Sequence, residues 1–372
     1  MSSRRQRVLF IIPTLTGGGA ERVVVTLLQH LDRARIEPAL AVVDTRHAAF
    51  RAEVPADVDF IDLGCTRVLH ALPRLARLIW QRRPDSVLST LGHLNLALAM
   101  LRPMLPDTTR YLARETTVLS QGLGEHTFPR GWAYGYRRYY RRFDRVICQS
   151  QAMRDDLVAH FRVSPGQTTV INNPLDLERI TRTATEPLPP DAPQVQRGLP
   201  APAPVHLVTA GRLVLQKGFD LMIEAIAMAH NTRLHLTVLG DGPERARLEA
   251  LTHARGLSSR VRFAGFQANP YAYFARADGF VLSSQYEGFP NVVLEALACG
   301  TPVIALPAPG GLREIVGPVK GCVLAAEMTA AALSTALDGW SPVRIPPAAV
   351  TRYALAPIVA RYASELSAFG AA

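Results

Sequence analysis

Tyr286-Glu287-Gly288-Phe289-Pro290-Asn291-Val292-Val293-Leu294-Glu295-Ala296-Leu297-Ala298-Cys299-Gly300-Thr301-Pro302-Val303-Ile304-Ala305 decides how this chain is read. It sets two carboxylates on either side of a Gly-Phe-Pro-Asn turn. Glu287 ends a strand. Pro290 suits the first position of a helix, because its missing N–H has no partner there in any case. Glu295 falls a turn into that helix. A helix start gathers unpaired N–H groups and the positive end of the peptide dipoles, which suits a phosphate. A carboxylate accepts hydrogen bonds from hydroxyls, so two of them suit a sugar and a ribose. A phosphate seat between two hydroxyl acceptors outlines a sugar nucleotide.

The flanking sequence supplies a matching scaffold. Strands are expected at 205–209, 234–239, 261–263, 279–283, 302–306 and 321–324, with helices at 218–229, 244–255, 271–277 and 291–298. The first half alternates in the same way. Its strands are expected at 8–12, 39–43, 58–61, 86–89, 110–113, 145–148 and 168–171, and its helices at 20–31, 67–82, 95–101, 132–142 and 151–161. Such alternation argues for an α/β chain with parallel sheets covered on both faces. Between the halves crowd Pro174, Pro187, Pro189, Pro190, Pro193, Pro200, Pro202 and Pro204. Prolines deny backbone donors and favour extended linkers. The expected division of the 372 residues is 1–175, a linker at 176–204, a second domain at 205–352 and a last helix at 353–372. In that helix Ile358, Tyr362 and Leu366 recur at helical spacing.

Several strand-to-helix loops carry chemistry. Gly211-Arg212-Leu213 follows one strand, and Gln216-Lys217-Gly218 opens the next helix. Two cations over one loop reach one diphosphate, each charge-assisted bond contributing about 1.5–3 kcal/mol. Fixed cations also stabilise the charge left on a departing diphosphate, so no metal is called for. Gly240-Asp241-Gly242-Pro243 closes the next strand and reads equally as a tight turn or a nucleotide-facing loop. Thr16-Gly17-Gly18-Gly19-Ala20-Glu21-Arg22 follows the first strand, and its glycines let backbone approach a ligand. A dinucleotide fingerprint needs a glycine where Arg22 stands. Asp44, ending the second strand, is the one feature that favours a nicotinamide enzyme.

Taken together, the 286–305 stretch, the Arg212/Lys217 loop and the Gly-Gly-Ala-Glu-Arg loop resemble the family 4 retaining glycosyltransferases. The resemblance spans nearly the whole chain and is strongest over 205–305. It implies the GT-B fold: two Rossmann-like domains facing across a cleft, with a C-terminal helix crossing back to the first. It implies transfer of a sugar, with retention, from a nucleotide sugar to a glycan or lipid-linked acceptor in polysaccharide or lipid-linked oligosaccharide synthesis. Glu287, Arg212 and Lys217 match the catalytic positions. Glu295, Gly288, Phe289, Pro290, Asn291, Val292, Gly211, Gly240, Gly265 and Phe266 match the donor side. Residues 261–266 resemble the segment whose backbone contacts the base, so side chains leave the base unread, and UDP is the commonest donor nucleotide. No cofactor beyond the donor is implied. Gly17, Gly18 and Gly19 match a loop facing the donor phosphates or the acceptor.

One departure stands out. Many members place a histidine after the strand matching 110–113, where this chain has Arg114-Glu115-Thr116. Ala113-Arg114-Glu115 is similar to a variant in members that build lipid-linked oligosaccharides, which places Arg114 or Glu115 at the acceptor or donor sugar. His93 follows the preceding strand and reads more readily as a packed or capping histidine than as a catalytic one.

The net charge of +10 calls for an anionic partner. No zinc-finger, helix-turn-helix or RNP pattern supports nucleic acid. In the 67–82 helix, Leu72, Leu75, Ala76 and Ile79 form a core face. Arg74, Arg77 and Gln81 project elsewhere, with Leu78 exposed beside them. Residues 130–142 interleave aromatics with arginines, a mixture that favours the headgroup layer of a membrane. The expected partners are thus a nucleotide sugar, a glycan or polyprenyl-diphosphate-linked acceptor touched by Arg74 and Arg77, and the inner-leaflet surface. Four scattered cysteines read as reduced thiols. Residues 8–15 read as a first strand rather than a signal peptide, and no apolar run has bilayer length. A cytoplasmic enzyme, peripheral at the membrane, is expected. The rivals are a sugar-nucleotide epimerase of the same fold and a non-catalytic glycan-binding subunit, which would tolerate loss of Glu287, Arg212 or Lys217.

Overall fold

The computed structural model describes residues 4–125, 127–190, 192, 197–198 and 201–367. The chain divides into two compact units, Met1–Pro174 with Leu355–Ala372, and Leu175–Ala354.

The first unit runs β1 (Gln6–Ile12), α1 (Gly19–His30), β2 (Ile36–Val42), β3 (Asp59–Asp62), α2 (Val68–Arg82), β4 (Ser86–Thr90) and α3 (Gly92–Leu101). It continues with β5 (Arg110–Arg114), α4 (Leu119–Gly122), α5 (Pro129–Tyr139), β6 (Arg145–Cys148), α6 (Gln151–Phe161) and β7 (Thr168–Val170). The strands form one parallel sheet in the order β3-β2-β1-β4-β5-β6-β7. Successive residues of a strand face opposite sides. Leu9 and Ile11 of β1 therefore meet the layer of α2, α3, α5 and α6, whereas Val8, Phe10 and Ile12 meet α1.

The second unit runs α7 (Leu177–Ala184), β8 (Val205–Ala210), α8 (Phe219–Met228), β9 (Leu234–Leu239), α9 (Arg245–Ala254), β10 (Val261–Gly265) and α10 (Tyr271–Arg276). It ends with β11 (Gly279–Leu282), α11 (Asn291–Ala298), β12 (Val303–Ala305), α12 (Leu312–Val316), β13 (Val323–Leu324) and α13 (Ala330–Gly339). Its sheet is also parallel, in the order β10-β9-β8-β11-β12-β13. Leu207 and Val281 face α8 and α13, while Val208, Phe280 and Leu282 face α10 and α11.

The chain then returns to the first unit as α14 (Leu355–Ser367). Ile358, Val359, Tyr362 and Leu366 bury one face of it beside α1. Each such side chain contributes about 1.5–3 kcal/mol. Glu365 anchors the helix by accepting from Arg110 and Arg145, both at 3.3 Å, and the Ser86 hydroxyl donates to the Leu366 carbonyl at 2.9 Å.

Two expectations about boundaries are corrected. The stretch 176–204 is not simply a linker. It begins with α7, whose first turn is capped by the Asp176 carboxylate at 2.9 Å from the Arg179 N–H, with Ile180 buried. Farther on, Arg197 donates to the carbonyls of Ala277 at 2.6 Å and Gly300 at 3.1 Å, and to Thr301 Oγ1 at 2.5 Å. Prolines suggest extension, but a capped amphipathic turn and one well-placed guanidinium dock this stretch on the second unit. Pro193 and Pro200 lie outside the described residues. The last helix begins at Leu355, not 353. Tyr353 stays in the second unit, its ring 5.5 Å from that of Phe289. Residues 368–372 of the expected helix also lie outside the described residues.

Candidate active site

In each sheet the chain reverses direction of growth once: between β1 and β4, and between β8 and β11. Parallel sheets bind ligands at the carboxyl ends of strands flanking such a reversal. In the second unit the two loops at that point are the Arg212–Lys217 loop after β8 and the Glu287 loop after β11. Backbone and side-chain bonds stitch them together. The Gln285 N–H donates to the Gln216 carbonyl at 2.8 Å, the Gln216 amide to the Tyr286 carbonyl at 3.1 Å, and the Ser283 hydroxyl to the Lys217 carbonyl at 3.0 Å. Gly218 makes this approach possible. It has φ +59°, and a Cβ there would stand 2.3 Å from the Ser283 carbonyl oxygen.

The chemistry converges on Glu287, which is 7% exposed. The Lys217 ammonium lies 2.6 Å from its Oε1, and the buried Ser284 hydroxyl donates to the same oxygen at 2.6 Å. Both contacts fall on Oε1, so the second oxygen, Oε2, keeps its acceptor capacity for a ligand. The backbone is fixed as well: the Glu287 N–H donates to the Pro309 carbonyl at 2.9 Å, and the Gly311 N–H to that of Gly288 at 2.9 Å. Arg212 is exposed and makes no ion pair or side-chain hydrogen bond among the described residues. Its guanidinium is open to solvent. Glu295 is half-buried on α11, with the Tyr271 hydroxyl 3.5 Å from its Oε1.

The neighbouring loops hold Arg212 in place. The Gly211 N–H donates to Leu239, the Leu213 N–H to Asp241 at 2.9 Å, and the Gly240 N–H to Gly265 at 2.7 Å. A Cβ on Gly240, at φ +129°, would meet the Gly211 carbonyl oxygen at 2.0 Å. The Gly-Asp-Gly sequence therefore serves first to let one loop lie on another. Asp241 itself pairs with Arg245 at 3.2 Å. Phe266, just after β10, is 78% exposed.

Around the turn after Glu287 the structure refines the sequence reading. Pro290 is the cap residue before α11 rather than its first residue, and Asn291 opens the helix. Asn291 and Val292 are half-buried, whereas Phe289 is not a donor-facing side chain. Its ring packs in the unit's core against Tyr353, because the turn directs it inward.

The first unit departs further from expectation. Glu21, which the sequence reading left without a role, lies buried under the glycine loop. Its carboxylate accepts from the N–H groups of Gly17 at 2.7 Å and Gly18 at 2.5 Å, and from the hydroxyls of Thr14 and Thr16. Gly17, Gly18 and Gly19 are exposed, but the loop's shape is set from within. The Thr/Gly run followed by Glu21 at the third helical position was the available signal.

Arg114 and Glu115, expected at the acceptor or donor sugar, are both fully buried. Arg114 donates to Asn173 Oδ1 at 2.6 Å and the Tyr362 hydroxyl at 3.0 Å, tying β5 to α14 and to the end of the unit. Glu115 accepts from the Asn95 amide at 2.7 Å and from the Tyr140 hydroxyl, while Oε2 has no partner. Burial pushes its carboxyl above the ordinary glutamate range. Both side chains are taken up by partners within the first unit. His93 is exposed in the first turn of α3, at the β1/β4 reversal, so it is not packed, while its place at a helix start agrees with the capping half of the expectation.

Arg74 and Arg77 line a shallow cavity of about 370 Å³ with Ile61, Asp62, Leu63 and Leu78. Arg74 is pinned by the Leu63 and Gly64 carbonyls, the latter at 3.0 Å, and Arg77 has no polar partner among the described residues. Leu78, expected exposed, is half-buried against the core. Asp44 is claimed by Arg46 at 2.7 Å, which pulls its pKa down to about 2 and removes the feature that favoured a nicotinamide enzyme.

A family model described as Glycosyltransferase Family 4 matches residues 17–179, and one described as Glycosyl transferases group 1 matches residues 196–353. A Campylobacter jejuni protein, N-acetylgalactosamine-N,N'-diacetylbacillosaminyl-diphospho-undecaprenol 4-alpha-N-acetylgalactosaminyltransferase, is 29% identical over 84% of each chain. A lipopolysaccharide core biosynthesis glycosyltransferase of Rhizobium meliloti is 42% identical over 36% of this chain and 38% of its own. Among solved structures, a lipopolysaccharide outer core galactosyltransferase superposes with TM-score 0.75 at 16% identity, covering 98% of this chain and 99% of that one. An Anabaena protein in complex with UDP gives 0.73 at 20% identity, covering 98% and 100%. With one model on each unit and the same architecture in these neighbours, the chain belongs to the family 4 glycosyltransferases and is a hexosyltransferase-type enzyme of the GT-B fold.

Proposed function

We propose that this glycosyltransferase moves a hexosyl group from a UDP-sugar to a hydroxyl of a lipid-carried glycan, with retention, in the building of a surface polysaccharide or lipid-linked oligosaccharide. The observation that carries the reading is the Lys217–Glu287 pair beside the unengaged Arg212. Arg212 and Lys217 would bind the diphosphate and take up its charge as the anomeric bond breaks. Glu287 Oε2 would hold sugar hydroxyls, and Glu295 the ribose. In a front-face displacement the acceptor oxygen bonds to the anomeric carbon as the bond to the diphosphate oxygen breaks. The acceptor proton passes to the departing phosphate oxygen. On this reading the reaction needs no metal.

The Campylobacter relative's name includes an undecaprenol diphosphate, the Rhizobium relative belongs to lipopolysaccharide core synthesis, and the Anabaena neighbour was solved with UDP and with UDP-glucose. These favour a UDP-sugar donor and a lipid-carried acceptor. Such an acceptor would hold the enzyme at the cytoplasmic membrane face, with Arg74, Arg77 and His93 on the acceptor side. Among the described residues no helix is long and apolar enough to cross a membrane.

The test is a screen of nucleotide sugars for binding and slow hydrolysis. A UDP-sugar should be hydrolysed by the wild type and left intact by a folded Glu287→Ala variant. A folded E287A with full activity overturns the assignment. Release of an altered UDP-sugar without acceptor would instead mark an epimerase.

A further inference from the structure

The docked stretch 176–204 is held by the same loop and helix that reach Glu295. α7 packs on α10 and α11, with Ile180 buried in the same core as Tyr273, Phe274 and Val293. The two ends of α10 then grip the end of α7. Before α10, the Asn269 amide donates to the Thr183 carbonyl and to Glu186 Oε2, both at 2.8 Å. At its last residue, Arg276 donates to the carbonyls of Ala184 at 3.3 Å and Glu186 at 3.0 Å. Farther along, Pro189 and Ala192 line a cavity of about 140 Å³ with Arg262, Phe263 and Ala264 of β10 and with Gln267.

Tyr271 is the first residue of α10 and the link to the site. Its N–H donates to Asn269 Oδ1 at 3.2 Å, and the Cys299 thiol donates to its carbonyl at 3.7 Å. Asn269 thus uses both ends of its amide, Nδ2 on the docked stretch and Oδ1 on Tyr271. With its backbone held on both sides, Tyr271 keeps two side-chain torsions, and its ring meets that of Phe274 edge-on at 6.2 Å. The hydroxyl is thereby set 3.5 Å from Glu295 Oε1. That is long for a hydrogen bond. At that length the hydroxyl steers the carboxylate and leaves it able to meet a ligand. A continuous run of contacts leads from residues 183–186 through Asn269 and Tyr271 to Glu295.

We infer that Tyr271 and Asn269 are positioning residues for the donor's ribose, coupling the docked 176–204 stretch to the orientation of Glu295. The inference rests on the ribose role proposed above for Glu295. A glutamate loses rotamer freedom when it meets a ligand. A hydroxyl that already restricts one of its oxygens lowers that cost, so the nucleoside binds more tightly. The two residues act through Glu295 at the ribose, away from the anomeric carbon. They therefore set donor affinity and leave the rate of bond breaking unchanged.

The experiment is calorimetric titration of the full chain with UDP and with dideoxy-UDP, which lacks both ribose hydroxyls that would donate to Glu295. The wild type should favour UDP at least about tenfold, the worth of one charge-assisted bond. Glu295→Ala should bring that preference within about twofold. Tyr271→Phe, which removes only the hydroxyl, should cut it about threefold or more. Asn269→Asp keeps the acceptor for Tyr271 but sets a carboxylate against Glu186, and should cut it similarly. N269D/E186Q, in which the new amide donates to the aspartate, should restore it. Affinity for dideoxy-UDP should stay within about twofold in Y271F and N269D, and donor hydrolysis should show KM raised with kcat unchanged. Preference lost in E295A but kept in Y271F or N269D overturns the inference and leaves the ribose role standing. So does an equal loss for both nucleotides, which a purely structural role would give. A wild type that binds the two alike, or preference kept in E295A, overturns the ribose role and the inference with it.

Discussion

Lys217 and Glu287 form an ion pair across the two loops at the β8/β11 reversal, with Nζ 2.6 Å from Oε1. Lys217 is 24% and Glu287 9% exposed at the side chain. The pair is thus largely withdrawn from water, where charges interact more strongly than on a surface. It holds the site's central carboxylate in one orientation before any donor arrives.

Removing one member should be worse than removing both. Lys217→Met leaves a buried carboxylate without its cation, whereas E287Q leaves a neutral amide. The double variant K217M/E287Q should be more stable than the sum of the single losses predicts, by about 1 kcal/mol or more. Urea unfolding of the four proteins gives the cycle. Additivity within about 0.5 kcal/mol would mean that the pair does not form in solution.

Ser284 should behave as an orienting residue for Glu287. Its hydroxyl makes a charge-assisted bond that contributes about 1.5–3 kcal/mol. Ser284→Ala should therefore lower kcat/KM for the donor roughly 10–100-fold while circular dichroism stays unchanged. A variant within twofold of the wild type would leave Ser284 a packing residue.

Gly240→Ala tests whether the second glycine loop positions Arg212. The added Cβ would overlap the Gly211 carbonyl, at 2.0 Å. Overpacking should cost about 1–3 kcal/mol and left-handed strain a similar amount. UDP affinity should fall with it, because the displaced loop carries the free cation. Gly256→Ala is the control: its φ is +67° with nothing within 4 Å, so it bears the strain alone. Equal loss of melting temperature in both would remove the overlap from the account.

Glu115 predicts a pH dependence. Its folded pKa is raised by burial. The folded state therefore holds a proton that the unfolded chain releases, and stability drains away as pH rises from the unfolded value through the folded one. Glu115→Gln keeps an acceptor for Asn95 and Tyr140 without the titrating proton. It should equal the wild type at acid pH and exceed it progressively above the ordinary glutamate value. Parallel stability curves for the two proteins across that range would contradict this.

Much of the fold was legible because its signals are local. Short apolar strands alternate with helices at 8–12, 20–31, 205–209 and 291–298, and each falls within a residue or two of its observed element. α13 was missed because Ala330–Gly339 has neither a sharp apolar stripe nor a turn signal beyond Thr329, and it is held by packing on α8. α7 was hidden by the prolines that follow it. In the site, Glu287, Lys217 and Arg212 were readable from residue type and spacing. Ser284 and Glu21 were not, since a serine or glutamate acquires meaning only from what lies across from it. Arg114 and Glu115 misled for a related reason. A charged pair after a strand looks exposed, until helix α5 and α14 are laid over it.

The sequence by itself determined the two parallel sheets, the order of their elements and the identity of the acidic and basic groups after β8 and β11, because periodicity, glycine placement and residue chemistry act over a few positions. Tertiary structure decided which of those groups meet. Strand order brought Lys217 to Glu287 across 70 residues, and put His93 at the surface and Glu115 in the interior. Those outcomes depend on which strands pair, and pairing over long separations is settled by the packing of the whole unit.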